Sequence, residues 1–399
     1  EASGGSGGPA SAGTTGDDGE PGTDDAAGTD DGADTGAADT TGGDPTDSGG
    51  GEWPDALPVD CLDDANAEEL ACTPFIQLDP GSIGAGPHFG IGMFPGVLGG
   101  FVDDANERLV VGTRFGVDVE PGGAVATVDL RTGERVFVSG HWDDPANGPM
   151  ELGSGAPIDF VFDVAPTAAG WVAIGQLGGD TVIVTVDPAT GARTALTPEG
   201  GSGCTDPDGI EIVIDPYAIA VADDGTVMTT FRGTDAGIGI VGYADGGCAV
   251  VSRMGGAGAP IGGGPDQSGG YFVDLAIDGA TLWGLEWQSQ SVFSIDIASG
   301  QRKRISSSSS STAVAEGPPV RGQSLAVTAS GIVTYDDEGI TLVDPATGNR
   351  TAVLVDGPLV LGVDGHVLAH PNAPWLVVLG DVGVGVLDTA TGNSNIVSF

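Results

Sequence analysis

A hexapeptide that occurs twice in this chain constrains its fold more than any other feature. Residues 186–191 read Val-Asp-Pro-Ala-Thr-Gly, and residues 343–348 read the same. Looser copies lie at 128–133, 295–300 and 387–392, and a shortened copy ends at Gly247. The glycines that close the six copies are 44 to 58 residues apart. A period of this length indicates that one supersecondary unit is repeated along the chain.

The phrase has the chemistry of a tight hairpin loop. Valines at every second position lead into it over residues 182–186, and apolar residues resume after it, as expected for two strands joined by a turn. Asp187 can accept a hydrogen bond from the N–H two residues further on, and Pro188 presets φ for the turn. Gly191 supplies the positive φ that lets the second strand pair. Each copy therefore predicts one hairpin.

A second repeat lies upstream of the hairpins, in the segments 219–221, 275–277 and 325–327, which all carry a central Ala between larger apolar residues. Each is followed by a turn and another apolar strand, which makes four strands per repeat. The small Ala suits an innermost strand that is crowded around a central axis. We therefore predict an all-β fold, a six-bladed β-propeller of four-stranded antiparallel blades. The predicted blades are 96–140, 158–198, 216–254, 271–308, 322–356 and 364–399.

Residues 1–52 contain only Gly, Ala, Ser, Thr, Pro, Asp and Glu. A segment without aromatic or large aliphatic residues cannot bury enough apolar surface to offset its ordering entropy. We predict a disordered acidic tether over 1–52, a lead-in segment over 53–95 and the propeller over 96–399.

The charge of the chain restricts its partners. The formal net charge is −45, and the residues after the tether carry about −32 of it. Such a surface cannot neutralise phosphates, so we expect no nucleic-acid partner and no docking to anionic lipid. Asp-rich, Lys-poor surfaces are typical of halophilic proteins, and specific metal binding is an equally open explanation.

The four cysteines indicate an exported protein with two disulfides. We predict that Cys61 pairs with Cys72, which is close in sequence, and that Cys204 pairs with Cys248 in the same repeat. No apolar run is long enough for a transmembrane segment. We expect an extracellular or cell-surface monomer.

On the hairpin phrase and the inner-strand repeat, residues 96–399 resemble secreted bacterial β-propellers with YVTN, NHL or SMP-30-like repeats. The acidic tail resembles the stalk of bacterial surface lipoproteins, which implies a lipid anchor upstream of Glu1. An enzyme of the SMP-30 type would hold a metal at the tops of the inner strands. At that position this chain has Ala218, Asp274 and Ser324, with Asp159 as a second carboxylate, so the metal centre of that family is not reproduced.

Long loops between blades predict a ligand-binding face. These loops cover 141–151, 199–215 and 254–270, together with the serine run 306–311, which we expect to be disordered. The candidate ligand-binding residues are His141, Trp142, Asp143, Asp144, Asp159, Asp274 and Trp287. The alternative for Trp142 and Trp287 is packing between blades or under a loop.

One acidic loop has a spacing that suits calcium. Asp206, Asp208 and Glu211 surround a Gly turn, as carboxylates do in loops that bind hard cations. The alternative is a solvated acidic loop, so Ca²⁺ is the candidate cofactor and no other is indicated. We find no catalytic constellation. We expect a binding or scaffold module for a protein or carbohydrate ligand, and the alternative is a calcium-dependent propeller hydrolase or lactonase that uses Asp159 and Asp274.

Overall fold

A computed structural model describes residues 96–398 with gaps at 116–121, 145–147, 157, 178–179, 198–202, 234–236, 245–246, 266–269, 309–313, 337, 354, 356–364, 381–382 and 390. Within these residues, the strands form six antiparallel sheets in consecutive order, one per blade. The predicted fold class, a six-bladed propeller, is confirmed. Cys61 and Cys72 lie outside the described residues, as does the tether.

Every blade is built from strands that follow one another in the chain. Blade 1 contains β1 (Gly96–Asp103), β2 (Arg108–Phe115), β3 (Gly122–Asp129), β4 (Arg135–Asp144) and β5 (Gly148–Leu152), with a 3-10 helix at Asp104–Asn106. Blade 2 contains β6 (Phe160–Thr167), β7 (Gly170–Leu177), β8 (Asp180–Val186) and β9 (Arg193–Ala195). Blade 3 contains β10 (Ile214–Val221), β11 (Val227–Gly233), β12 (Gly237–Ala244) and β13 (Gly247–Met254).

The remaining three blades have the same order. Blade 4 contains β14 (Phe272–Asp278), β15 (Thr281–Glu286), β16 (Ser291–Asp296) and β17 (Arg302–Ser307). Blade 5 contains β18 (Ser324–Thr328), β19 (Gly331–Asp336), β20 (Gly339–Val343) and β21 (Arg350–Val353). Blade 6 contains β22 (His366–Ala369), β23 (Trp375–Gly380), β24 (Gly383–Asp388) and β25 (Ser394–Ser398). Among the described residues, no helix has the length and hydropathy that crossing a membrane requires.

The hydrophobic core lies between neighbouring blades. Ile183 of blade 2 and Phe231 of blade 3 belong to one buried cluster, and Phe293 of blade 4 belongs to another with Ile240 of blade 3. Strands alternate in direction, so the inner strands begin and the second strands end on one face of the disc, which we call the upper face. The hairpins between third and fourth strands lie on the lower face.

The hairpin phrase folds as predicted. The N–H of Ala189 donates to Asp187 Oδ1 at 2.8 Å, and the N–H of Gly191 donates to the Asp187 carbonyl at 2.8 Å. Gly191 has φ +68° and Gly348 has φ +76°. Gly247 differs, because it is not among the glycines with positive φ.

Blade 1 is larger than predicted. Residues 141–144 belong to strand β4, which pairs with the additional strand β5, so the predicted loop 141–151 is largely a β-hairpin. The predicted disorder of the serine run is also wrong at its start, because Ser306 and Ser307 are buried strand residues of β17.

Candidate functional site

Five aromatic side chains form a continuous row on the upper face, which we call the aromatic row: Phe160, Phe162, Tyr217, Tyr271 and Trp287. Neighbouring ring centres are 5.3 to 6.5 Å apart. Tyr217 and Tyr271 are stacked at 5.3 Å, and Trp287 lies 6.0 Å beyond Tyr271. The row passes from blade 2 to blade 4: Phe160 and Phe162 lie in β6, Tyr217 lies in β10, Tyr271 directly precedes β14 and Trp287 directly follows β15.

Trp287 is the exposed end of the row. Its side chain is 53% exposed. The turn that follows β15 presents it: the buried Glu286 carboxylate accepts hydrogen bonds from the N–H groups of Gln288 at 3.1 Å and Ser289 at 2.9 Å. The N–H of Trp287 donates to the Tyr271 carbonyl at 3.2 Å. The indole is thus exposed on one side, and on another it borders the segment before β18, where a Cβ added at Gly322 would lie 3.5 Å from its Cδ1. Its role in ligand binding stays a prediction.

A charged pair lies beside the row. The guanidinium carbon of Arg232 is 4.7 Å from the centre of the Tyr271 ring, within the range of a cation–π interaction. Arg232 Nε is 3.2 Å from Asp215 Oδ1, and the arginine side chain is 49% exposed while Asp215 is buried. Burial raises the pKa of Asp215, and the positive charge of Arg232 opposes this shift. The pair places one basic and one acidic side chain beside the row.

A second candidate site is the central channel. The inner strands enclose a cavity of about 300 Å³ whose wall includes Asp163, Asp274 and His366. The remaining wall is mostly Ala, Val, Leu and Ile. His366 Nδ1 lies 3.9 Å from Asp274 Oδ2.

The channel carboxylates bind backbone N–H groups of the next blade. Asp163 Oδ2 accepts from Ile219 N at 3.0 Å, and Asp274 Oδ2 accepts from Leu325 N at 2.7 Å. Both aspartates stand where the inner strand changes register, so the bulge directs each carboxylate to the adjacent strand. Ser324 Oγ continues the pattern by accepting from Val367 N at 3.1 Å.

Burial changes the protonation of these channel residues. It raises the pKa of Asp274 to about 6, and burial together with the charge of Asp274 raises the pKa of Asp163 well above its ordinary value. Burial lowers the pKa of His366 to about 4. Because both Asp274 oxygens accept hydrogen bonds from protein donors, the carboxylate has a structural role in this state.

Asp163 is the channel residue that sequence reasoning missed. The carboxylate of blade 2 in the channel wall belongs to Asp163, whereas Asp159 lies before β6 and is not part of that wall. The signal was present, because Asp163-Val164-Ala165 matches Asp274-Leu275-Ala276 in the inner-strand repeat.

The acidic loop proposed for calcium surrounds an arginine. The buried Arg253 guanidinium forms an ion pair with Asp206, and its Nη2 lies 2.7 Å from Asp208 Oδ2. Asp206 is buried and Glu211 is exposed. Among the described residues, no group of three or more His, Cys, Asp or Glu side chains is placed to hold a metal ion. The arginine supplies the positive charge that a cation would bring, and the calcium hypothesis is tested below.

The cysteine pairing in this region is confirmed. Cys204 and Cys248 form a disulfide with 5.8 Å between their Cα atoms. His141 is partly buried in β4, and the side chains of Trp142, Asp143 and Asp144 lie outside the described part of the chain, so their proposed binding role stays a prediction.

Comparisons with known proteins find similar chains among solved structures. No protein-family model and no curated protein matches the chain. An auxiliary nutrient binding protein of Bacteroides thetaiotaomicron is 13% identical, with a TM-score of 0.45 over 73% of this chain and 68% of that one. A nidogen–laminin complex is 13% identical, with a TM-score of 0.42 over 69% of this chain and 90% of that one. A candidate 6-phosphogluconolactonase of Bacteroides fragilis is 15% identical, with a TM-score of 0.41 over 75% and 82%. We take no functional argument from these similarities.

Proposed function

We propose that this protein is an exported, surface-tethered binding module whose ligand contacts the upper face around the aromatic row. The exposed Trp287 carries the proposal. An indole that is half exposed at the end of a row of aromatic rings offers a large rigid contact area at low entropic cost, and Trp, Tyr and Arg are the residues that dominate binding surfaces. The disulfide supports export, because such bonds persist in oxidising compartments.

The first prediction compares an exposed apolar residue of this face with an exposed apolar residue near the lower face. We expect Trp287→Ala to weaken binding of the protein or glycan ligand by about tenfold or more, since truncating an aromatic anchor costs about 2 kcal/mol. Val136→Ala is the matched control, because Val136 is 50% exposed on β4. Binding is measured for purified wild type and both variants against arrays of glycans and secreted proteins. Equal binding by wild type and Trp287→Ala would contradict the proposal.

A propeller hydrolase is the second candidate. The observation in its favour is that Asp163, Asp274 and His366 line one cavity. For hydrolysis, at least one of the two carboxylates must give up its hydrogen bonds to backbone N–H groups and contact the substrate instead. The test is lactone hydrolysis by the wild type and by the variants Asp163→Asn and Asp274→Asn. Activity that both variants lose while their melting temperatures stay unchanged would support the hydrolase over the binding module.

A further inference from the structure

We infer that the ligand of the aromatic row is a neutral polysaccharide, an inference that rests on the proposed binding function and names its ligand class. The site is formed by Tyr217, Tyr271, Trp287 and Arg232, with Asp215 as the partner of the arginine. Of these residues, Trp287 is the one that the sequence predicted to bind a ligand.

The first argument is geometric. The rings follow one another from blade 2 to blade 4 with centres 5.3 to 6.5 Å apart, and Tyr217 and Tyr271 stack on each other. The stack supports Trp287, whose half-exposed indole is the flat apolar surface that a ligand can reach. Each sugar ring of a polysaccharide has an apolar C–H face that packs on an aromatic ring, as the apolar body of a ligand does in other aromatic-lined sites.

The second argument concerns hydrogen bonding. Arg232 is half exposed and uses Nε toward Asp215, while its guanidinium lies over the Tyr271 ring. A guanidinium has five N–H donors, so donors remain for ligand hydroxyl oxygens next to the stacking surface. A polyhydroxyl ligand requires both an aromatic ring on which a sugar ring can stack and a fixed hydrogen-bond donor beside that ring.

The third argument is electrostatic and separates ligand classes. The body charge of about −32 repels anionic polymers. An uncharged ligand is not repelled by this charge, and the Arg232–Asp215 pair beside the row is not an isolated charge. The body charge attracts polycations, which the test below therefore includes as a probe.

Affinity gel electrophoresis tests the inference with defined probes. Native gels contain laminarin, dextran or hydroxyethyl cellulose as neutral polysaccharides, heparin as the polyanion, or polylysine as the polycation. We expect at least one neutral polysaccharide to retard the wild type, with less than about a twofold change in affinity between low and high salt, because no counterions are released. Heparin should cause no retardation.

The variants identify the site. Trp287→Ala should reduce the affinity for the retarding polysaccharide about tenfold or more, Trp287→Phe should retain part of it, and Arg232→Ala should reduce it. Val136→Ala is the matched control and should bind as the wild type does, and melting curves confirm that all variants fold.

The outcomes separate this inference from the proposed function. If polylysine or a secreted protein binds in a Trp287-dependent manner and no neutral polysaccharide does, the binding function stands and the ligand class is wrong. If no probe or partner binds in a Trp287-dependent manner, both are wrong. Polysaccharide retardation that Trp287→Ala and Arg232→Ala leave unchanged also overturns the inference, because the ligand then binds elsewhere.

Discussion

At the scale of single residues, three glycines differ in their φ angle and in the space that is available for a Cβ atom. Gly191 has φ +68°, and an added Cβ would lie 2.1 Å from the carbonyl oxygen of Val138 in blade 1. Gly225 has φ +86° but open space around it. Gly247 lacks the positive φ, and the nearest atom to an added Cβ is 3.6 Å away. These three positions separate backbone strain from steric overlap.

Alanine at these positions gives the second prediction. We expect Gly247→Ala to change the free energy of unfolding by less than about 0.5 kcal/mol. Gly225→Ala should cost about 1 to 2 kcal/mol, because a Cβ is unfavourable in the left-handed region. Gly191→Ala should cost more, about 2 to 4 kcal/mol, since overlap adds to that strain. Urea denaturation measures all three, and equal costs at Gly191 and Gly247 would refute the hairpin assignment.

The third prediction concerns pH and the channel residues. The folded state raises the pKa of Asp274 from 3.8 to about 6, so it binds that proton more tightly than the unfolded chain does. The stability that the protonated acid contributes is complete below about pH 4 and is lost as the pH rises toward 6. His366 has the opposite sign: its pKa falls from 6.5 to about 4, so stability is lost as the pH falls from 6.5 toward 4.

Two variants separate these opposing contributions. Relative to Asp274→Asn, the wild type should lose up to about 3 kcal/mol of unfolding free energy between pH 4 and 6. Relative to His366→Gln, it should gain a similar amount over pH 4 to 6.5. Chemical denaturation at several pH values measures both differences. Differences of the same sign would show that the environment of one of the two residues is misassigned.

At the scale of elements, the hairpin of one blade is bound to the outer strand of the blade before it. Ser252 Oγ donates to the Gly300 carbonyl at 3.1 Å, and Arg302 Nη1 donates to Ser252 Oγ at 2.7 Å. The same arrangement joins Gly348 and Arg350 to Ser306. It also joins Gly191 and Arg193 to Ser139, with bonds of 2.7 and 2.8 Å. Each arginine stands two residues after its glycine, a spacing that the sequence repeats.

The boundary between blades 2 and 3 is built differently. The shortened hairpin of blade 3 has Ala249 where the hairpins of blades 1, 2, 4 and 5 have an arginine. In its place, Cys248 forms the disulfide to Cys204 in the segment that connects the two blades. Arg253 binds Asp206 and Asp208 of the same segment. The disulfide and this ion-pair network thus replace the repeated contact where the hairpin lacks it.

The fourth prediction compares a buried and an exposed cation of β17. Arg302 is buried and donates to Ser252 Oγ and to the Ile261 carbonyl at 2.9 Å. Arg302→Ala leaves these acceptors unsatisfied and should cost about 2 to 4 kcal/mol. Lys303→Ala, at the exposed neighbouring position, should stay within about 0.5 kcal/mol. Thermal and urea unfolding give both values. A mild effect of Arg302→Ala would mean that the contact between blades adds little stability.

At the scale of the whole molecule, net charge opposes compactness. With about −32 charges on the body, self-repulsion destabilises the folded state at low ionic strength. Neutral salt relieves it once the Debye length falls to about 10 Å near 0.1 M. Sodium and potassium should act alike, because screening does not depend on the identity of the ion.

The fifth prediction uses this screening to test calcium. The melting temperature should rise with NaCl and KCl to the same extent, and sub-millimolar CaCl₂ at fixed NaCl should add nothing, because Arg253 already forms ion pairs with Asp206 and Asp208. A calcium increment that Asp208→Asn abolishes would instead establish the metal site. A melting temperature that does not change with any of the three salts would show that charge repulsion does not measurably destabilise the folded state.

Much of the fold could be predicted because the hairpin chemistry is local. Asp187, Pro188 and Gly191 act within six residues, so their effect can be recognised without knowing what surrounds them. The same chemistry could not predict strand β5. Residues 148–152 pair with β4 and extend blade 1 alone, so no repeated pattern in the sequence indicates this strand.

The sequence by itself determined the repeated unit, the number of blades and the disulfide Cys204–Cys248, since turn geometry and cysteine pairing within one repeat follow from residues close in the chain. Only the tertiary structure decided which side chains meet across blades. Tyr217 stacks on Tyr271, and the charge of Asp274 acts on Asp163, although each pair belongs to different blades. The reason is physical. Bulges in the inner strands and the packing of one blade on the next determine where these side chains point, and neither leaves a periodic pattern in the sequence.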